Sequence, residues 1–416
     1  MKVVHLNTSV NKSSAPYRLH EALCRNGIES KILVLNGDEG LHSVYKVKRT
    51  LAYKCKRKIY SFLRNQKMKA YVPMEYMPLT TMPVGMELSH VKEIREADII
   101  YLHWVCGDFM SPKTIRSLLK LGKPVFWACH DNFPFTGGCH VRLGCERYQE
   151  KCGMCPQLGS EDQDDITEKL IAEKMMLSEF PNLYITSPSR WMDGNVSRSA
   201  VLGKQQHFIL PNTIDTLVFR PFDKEQVRGE FGIEEDSFVI LAGLKTNEKI
   251  PYNGTDLLWE TFRGLEELYP QRKLEGRKIE LAVFGVESLD AKCSWPVRNL
   301  GYIRDEKKLA KVYSAADVYV VTSLEDSFNQ TVAECMACET PVVAFKNGGI
   351  EDIIDHEVNG YLSEYKNVKD MMRGIIWLEN RNCGEVARKK ICDNFSYEKV
   401  SRQFKSIVNQ VTANQI

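Results

Sequence analysis

The sequence predicts an α/β fold of two doubly wound parallel-sheet domains, and three observations carry that expectation. Short apolar runs bounded by polar residues recur between segments of helical spacing, the pattern of repeated βαβ units. The stretch Asp317–Ile353 reads strand, loop, helix, strand, loop, helix, with Val318–Thr322 and Thr340–Phe345 as strands buried on both faces. At 416 residues the chain also exceeds what one core holds, and two domains of about 200 residues are expected. Charge is nearly balanced, 56 basic against 54 acidic residues, so no nucleic-acid partner is indicated. The start, MKVVHLNTS, lacks the apolar core of a secretory leader, and no apolar run approaches membrane-spanning length. Together these features predict a soluble, cytoplasmic protein.

In chain order, Lys2–Asn7 and Lys31–Asn36 are expected strands. Between them lies a helix opening at Ser14-Ala15-Pro16, with Leu19, Ala22 and Leu23 as its apolar face and Gly27 as its stop. Residues 46–69 hold ten Lys or Arg and no acid. Leu51, Cys55, Ile59 and Phe62 fall there at helical spacing. Such a basic amphipathic helix fits an anionic membrane surface, with Tyr53, Tyr60 and Phe62 at headgroup level, or equally a surface helix packed on its own domain. Asp98–His103 is a strand, and Ser111-Pro112 opens a helix. Pro124–Cys129 is a strand running into His130-Asp131, and residues at the carboxyl end of a parallel strand face the ligand side of such a sheet. His103-Trp104 ends the neighbouring strand.

Thirteen cysteines, an odd number, suit a disulfide framework poorly. Four cluster in the loop 137–160: Cys139, Cys145, Cys152 and Cys155, spaced C-x5-C-x6-C-x2-C. Two turns of this kind can present four thiolates tetrahedrally to a structural zinc, with His140 a possible substitute ligand. An iron–sulfur cluster uses the same ligands, and free thiols are the third reading. Further on, Asp164–Phe180 is a helix and Leu183–Thr186 a strand. Phe238–Gly243 and Ile279–Phe284 are strands of the second domain, and helices are expected near 367–380, 384–393 and 397–411. Glu339 ends a helix where Gly is preferred, which implies another cap or local strain.

The stretch around Asp326 and Glu334, with PVVAF and GGIED in register, resembles the nucleotide-sugar site of the GT-B glycosyltransferases, most closely the retaining family 4. In that family two acids are separated by seven intervening residues, as Asp326 and Glu334 are. The resemblance implies that Glu334 holds the donor ribose. It implies that Asp326, Phe328, Asn329, Gln330 and Thr331 contact the donor sugar and diphosphate, and that Tyr302, in NLGYI, lies at the base. A histidine in the position of His130 contacts the donor sugar there, so His130 and Asp326 are the expected catalytic residues. His103, Trp104 and Asp131 are expected on the acceptor side. Pro211-Asn212-Thr213-Ile214-Asp215 resembles the family's crossover between domains, which implies an N-terminal domain 1–212 and a nucleotide-sugar domain 213–396 facing a central cleft. A last helix, 397–416, would return to the N-terminal domain.

Two departures stand out. The first loop, SVNKSSAP, has no glycine, leaving Asn11, Ser13 and Ser14 as side-chain donors. Asn253-Gly254 stands where the family has a Lys-Gly pair on the diphosphate, leaving Lys245 and Lys249 to supply the cation. HW, HD and the Cys-rich loop together resemble the exopolysaccharide (colanic-acid type) branch. The implied activity is retaining transfer from a UDP- or GDP-linked sugar to a lipid-linked glycan in surface polysaccharide biosynthesis. No metal is expected in the chemistry. Two rival expectations are a non-catalytic GT-B binding subunit and a nucleotide-sugar 2-epimerase.

Overall fold

The structure is a computed structural model that describes every residue except 38, 39, 76, 78, 246–249, 380 and 414–416. The chain divides into two units, Met1–Thr213 with Val400–Ile416, and Ile214–Lys399.

The first unit is built on seven parallel strands: β1 (Lys2–Asn7), β2 (Glu29–Val34), β3 (Val44–Lys46), β4 (Ile99–Leu102), β5 (Val125–Ala128), β6 (Leu183–Ser187) and β7 (Gln206–Ile209). Their order is β3-β2-β1-β4-β5-β6-β7. β4, β5 and β6 are buried at every position, so the strands show no polar alternation and read as plain apolar runs. β2 starts two residues before its expected place, because Gly27 turns the chain at φ 77° and Glu29 already pairs with Lys2. The helix Ala15–Arg25 buries Leu19, Ala22 and Leu23 as its spacing requires. Val400, Phe404, Ile407, Val408 and Val411 of the final helix, Tyr397–Ala413, join Val3, Leu19, Tyr101 and Phe126 in one cluster. That apolar face explains why the last helix belongs to the first unit.

The second unit holds β8 (Phe238–Gly243), β9 (Lys273–Leu274), β10 (Arg277–Phe284), β11 (Val297–Asn299), β12 (Val318–Val321), β13 (Val342–Phe345) and β14 (Gly360–Ser363). The parallel order is β11-β10-β8-β12-β13-β14, with β9 turned back antiparallel on β10. Asp317 ties the amino end of β12 to its surroundings. Its carboxylate accepts from Lys224 at 2.8 Å, Arg228 at 2.6 Å, Arg277 at 3.1 Å and the Val239 amide at 2.7 Å. Burial would raise that carboxyl, but Lys224, Arg228 and the amide hold it below the ordinary 3.8. Glu339 takes φ 64°, the strained left-handed region for a residue with a Cβ. Its helix end is closed by Arg388, which donates to the carbonyls of Ala337 and Phe219.

Candidate active site

In parallel sheets the carboxyl edge is where polar loops gather, and each unit places a distinct group there. In the second unit the loop after β12 leads into the helix Gln330–Ala337. Asp326 braces this loop: its Oδ1 accepts from the amides of Phe328 at 3.2 Å and Asn329 at 2.9 Å, and its carbonyl accepts from the Gly349 amide at 2.9 Å. The two loops touch so closely that a Cβ on Gly348 would lie 2.2 Å from the Asp326 carbonyl, and one on Gly349 2.2 Å from that of Ser327. Burial raises the Asp326 carboxyl, against the pull of the Phe328 amide and Lys245. Asn329, at φ 69°, caps the helix by accepting from Val332 N and the Thr331 hydroxyl. Only the main chain of Phe328 is available at the edge, because its ring is buried in the core against Phe395.

Behind that cap the helix carries Glu334, buried and accepting from the Tyr313 hydroxyl at 3.1 Å. Gln330 Nε2 and Asn253 Nδ2 are buried donors without a protein acceptor among the described residues. Asn253 Oδ1 receives Lys245 Nζ at 3.1 Å, and that ammonium also lies 5.6 Å from the Tyr252 ring. Lys245 is therefore beside Asn253, whereas Lys249 lies outside the described residues. Gly254 is left-handed, and a Cβ there would lie 1.9 Å from the Thr322 carbonyl at the end of β12. Tyr302 stands exposed past β11, with the Arg304 guanidinium 5.6 Å from its ring.

In the first unit the edge is a row of histidines. His5, inside β1, places Nδ1 2.8 Å from His103 Nε2, and His103 places Nδ1 2.8 Å from His130 Nε2. Burial lowers the basicity of all three, His130 to about 4. Trp104 is held by its amide on Asn7 Oδ1 at 2.7 Å. Asp131 lies 2.7 Å from His140 Nδ1, and His140 Nε2 lies 2.8 Å from the Thr80 hydroxyl. Both nitrogens of His140 are thus engaged, which corrects its expected availability as a substitute metal ligand.

Cys139, Cys145, Cys152 and Cys155 all line one cavity of about 20 Å³, with Arg142 and Arg147. Cys152, Gly153 and Met154 are consecutively left-handed, and a Cβ on Gly153 would lie 2.1 Å from the Gln163 carbonyl. No three of the four sulfurs lie within 4.8 Å of one another; among the described residues only His20, Cys24 and His42 form such a set. Sequence reasoning passed over His5 and Tyr313. The signal for His5 was present: a polar residue in the middle of VVHLN, a strand buried on both faces.

Residues 240–381 match the family Glycosyl transferases group 1. The chain superposes over its full length on sucrose-phosphate synthase from Thermosynechococcus elongatus, with a TM-score of 0.64 at 16% identity and all of that chain covered. HepE of Anabaena in complex with UDP and glucose gives 0.62 at 15%, covering 99% of this chain and 100% of that one. In sequence, the D-inositol 3-phosphate glycosyltransferase of Segniliparus rotundus is 26% identical over 216 residues, 49% of this chain and 46% of its own. The N-acetyl-alpha-D-glucosaminyl L-malate synthase of Bacillus anthracis is 27% identical over 205 residues, 48% of this chain and 52% of its own, so the chain spans about half the length of these curated relatives. MJ1607, an uncharacterized glycosyltransferase of Methanocaldococcus jannaschii, is 24% identical over 381 residues, covering 85% of this chain and 92% of its own. The two parallel-sheet units have the GT-B glycosyltransferase fold. The similarity to the group 1 family falls within the second of them.

Proposed function

We propose that this protein is a retaining glycosyltransferase of family 4 that moves a sugar from a UDP- or GDP-linked donor to a hydroxyl of a lipid-linked glycan, in surface polysaccharide biosynthesis. The observation that carries this reading is the set at the carboxyl edge of β12: buried Glu334 together with Gln330 Nε2 and Asn253 Nδ2, two buried donors awaiting an acceptor. Buried donors are ordinarily satisfied, so their natural complement is an acceptor-rich ligand such as a diphosphate. The first turn of the helix Gln330–Ala337 adds amides with no intrahelical partner and the positive end of its dipole. Negative charge grows on the leaving diphosphate as the glycosidic bond breaks, and these groups with Lys245 stabilise it. The acceptor hydroxyl attacks on the same face, and its proton passes to the leaving phosphate. Asp326 serves by holding the loop amides in place, and Glu334 by accepting the ribose hydroxyls. UDP is supported by HepE, whose structures hold UDP and UDP-glucose, and a polysaccharide role by the lipopolysaccharide 1,2-N-acetylglucosaminetransferase of Salmonella typhimurium, 25% identical over 215 residues. A non-catalytic binding subunit is the second reading, favoured by Asn253 at the place of the expected lysine; binding of donor without turnover on any acceptor would select it.

The reading extends to the membrane. In the helix Leu51–Met68 only Tyr53 is buried, its hydroxyl on the Asp108 carbonyl at 2.7 Å. The opposite side exposes Leu51 at 78%, Ile59 at 59%, Phe62 at 62% and Leu63 at 46%. This apolar stripe, flanked by Lys54 and Lys58, supports the membrane-surface alternative over a helix packed on its own domain. Arg57 is held back by Asp108 at 3.1 Å and is set aside from the basic cluster. No helix among the described residues is long and apolar enough to cross a membrane. We place the protein on the cytoplasmic face, held peripherally.

A structural zinc in the Cys-rich loop is also proposed. Lys174 is 1% exposed and Arg142 7%, so two cations are buried beside the four thiols. Lys174 donates to the carbonyls of Phe133 and Thr136, and Arg142 to that of Cys145 and the amide oxygen of Asn195. Four thiolates on one divalent ion carry net charge near −2, complementary to the Lys174 ammonium beside them. With metal–sulfur bonds of about 2.3 Å, binding must draw the sulfurs closer together.

Three outcomes test these readings. Glu334→Ala should weaken UDP-sugar binding by about 1.5–3 kcal/mol in calorimetry with the fold intact, and unchanged affinity would remove Glu334 from the site. Replacing Lys54, Lys56 and Lys58 with Gln should abolish salt-sensitive flotation on anionic vesicles, at about 1 kcal/mol per lysine, while activity on a soluble acceptor persists. Wild-type protein that ignores such vesicles at low salt would contradict the membrane reading. Purified protein should hold about one zinc per chain, and Cys152→Ser should lose it and lower the melting temperature. Metal-free protein with the same stability, or iron in place of zinc, would overturn that assignment.

A further inference from the structure

The helix Ala15–Arg25 carries two metal-ligand side chains four residues apart, and the chain brings a third to them. His20 and Cys24 stand one helical turn apart, so both project from the same face. His42, in the turn before β3, joins them. One ligand atom from each of the three lies within 4.8 Å of the others, and no other such set occurs among the described residues. A tetrahedral ion with sulfur at about 2.3 Å and nitrogen at about 2.0–2.1 Å sets its donor atoms about 3.3–3.6 Å apart. Cys24 Sγ is already 3.9 Å from His20 Nδ1 and 4.0 Å from His20 Nε2. His42 is exposed, so its side chain can turn to close the rest of the gap.

The surroundings of the three suit a metal. A metal-bound imidazole keeps its second nitrogen on a hydrogen-bond partner, which fixes the ring. His20 Nδ1 lies 2.7 Å from the hydroxyl of Ser30, and Ser30 is fixed inside β2 opposite Val3. The rings of Tyr17 and His5 flank that of His20, with centroids 5.8 and 6.2 Å away. That leaves Nε2, which sits 3.1 Å from the His42 carbonyl, as the ligating atom. A hydroxyl can donate or accept, so Ser30 accommodates the imidazole proton when it passes from Nε2 to Nδ1. The His42 carbonyl, at an exposed residue, then turns to water. Burial falls from His20 through half-buried Cys24 to exposed His42, which gives an ion a way in from solvent.

We propose that His20, Cys24 and His42 bind one divalent ion of the zinc or cobalt class, pinning the helix Ala15–Arg25 to the turn before β3. Thiolate and imidazole select such ions over magnesium and calcium, which take oxygen ligands. Cys24 releases its thiol proton to solvent as the metal–sulfur bond forms, and the fourth position is left to water. The site shares no residue with the Cys-rich loop and does not depend on the glycosyltransferase reading.

Cobalt takes the same ligands as zinc and absorbs strongly in the near ultraviolet when a thiolate binds it, so Co²⁺ is the probe. The full-length protein is treated with a chelator, desalted and titrated with Co²⁺, and zinc plus cobalt are counted per chain. Wild type should hold one more ion than Cys24→Ser, and should gain a thiolate-to-cobalt band that is absent from the difference when Cys24 is replaced. The Cys-rich loop is the same in both chains, so its own metal cancels. His42→Ala removes an exposed ligand, so the melting temperature without added metal should hold. Its Co²⁺ affinity should fall on the order of 10- to 100-fold or more, the loss that disturbing even an outer partner of a metal causes. Saturating Co²⁺ should raise the melting temperature of wild type more than that of Cys24→Ser. Equal metal content in wild type and Cys24→Ser, or undiminished affinity in His42→Ala, would overturn the proposal.

Discussion

The contact between the two loops at the carboxyl edge of the second sheet is the constraint on which the site depends. Asp326 and Ser327 meet Gly348 and Gly349 main chain to main chain, at distances where no Cβ fits. That approach fixes the course of the loop after β12. Asp326 then spends one carboxylate oxygen on the amides of Phe328 and Asn329. Asn329 in turn caps the helix, which sets the first-turn amides and holds Glu334 in its buried place beside Tyr313. An acid that looks like a ligand by spacing thus works first as a brace.

The two edges handle buried polarity in opposite ways. In the first unit His5, His103 and His130 hydrogen-bond one another in series. In the second unit Gln330 and Asn253 keep donors buried and unpaired. An unsatisfied buried group costs about 1–3 kcal/mol, so such groups persist where a ligand repays them. The exposed apolar stripe of the helix Leu51–Met68 is the same argument with the sign of polarity reversed.

Much of the fold was legible because parallel strands buried on both faces are written as apolar runs, and β1, β4, β5, β8, β12 and β13 all read that way. Asp326, Glu334 and His130 were legible because each sits where such a run ends or its following helix begins. What spacing could not show was engagement. That Asp131 is taken by His140, that Arg57 is taken by Asp108, and that the Phe328 ring turns into the core are long-range facts absent from local sequence. His5 was missed for the converse reason: its partner His103 is 98 residues away, so a polar residue in a strand had no visible use.

The central claim is that the carboxyl edge of β12 binds a nucleoside diphosphate sugar, and the thermal stability of the whole chain titrated with UDP, GDP and their sugars tests it most directly. A ligand that binds only the native state raises apparent stability by about 2.7 kcal/mol at a hundredfold excess over its dissociation constant. The account predicts a saturable rise with one of the two nucleotide series, larger for the sugar-linked form than for free nucleoside. No shift with any nucleotide, or an equal shift with nucleoside lacking the diphosphate, would contradict it.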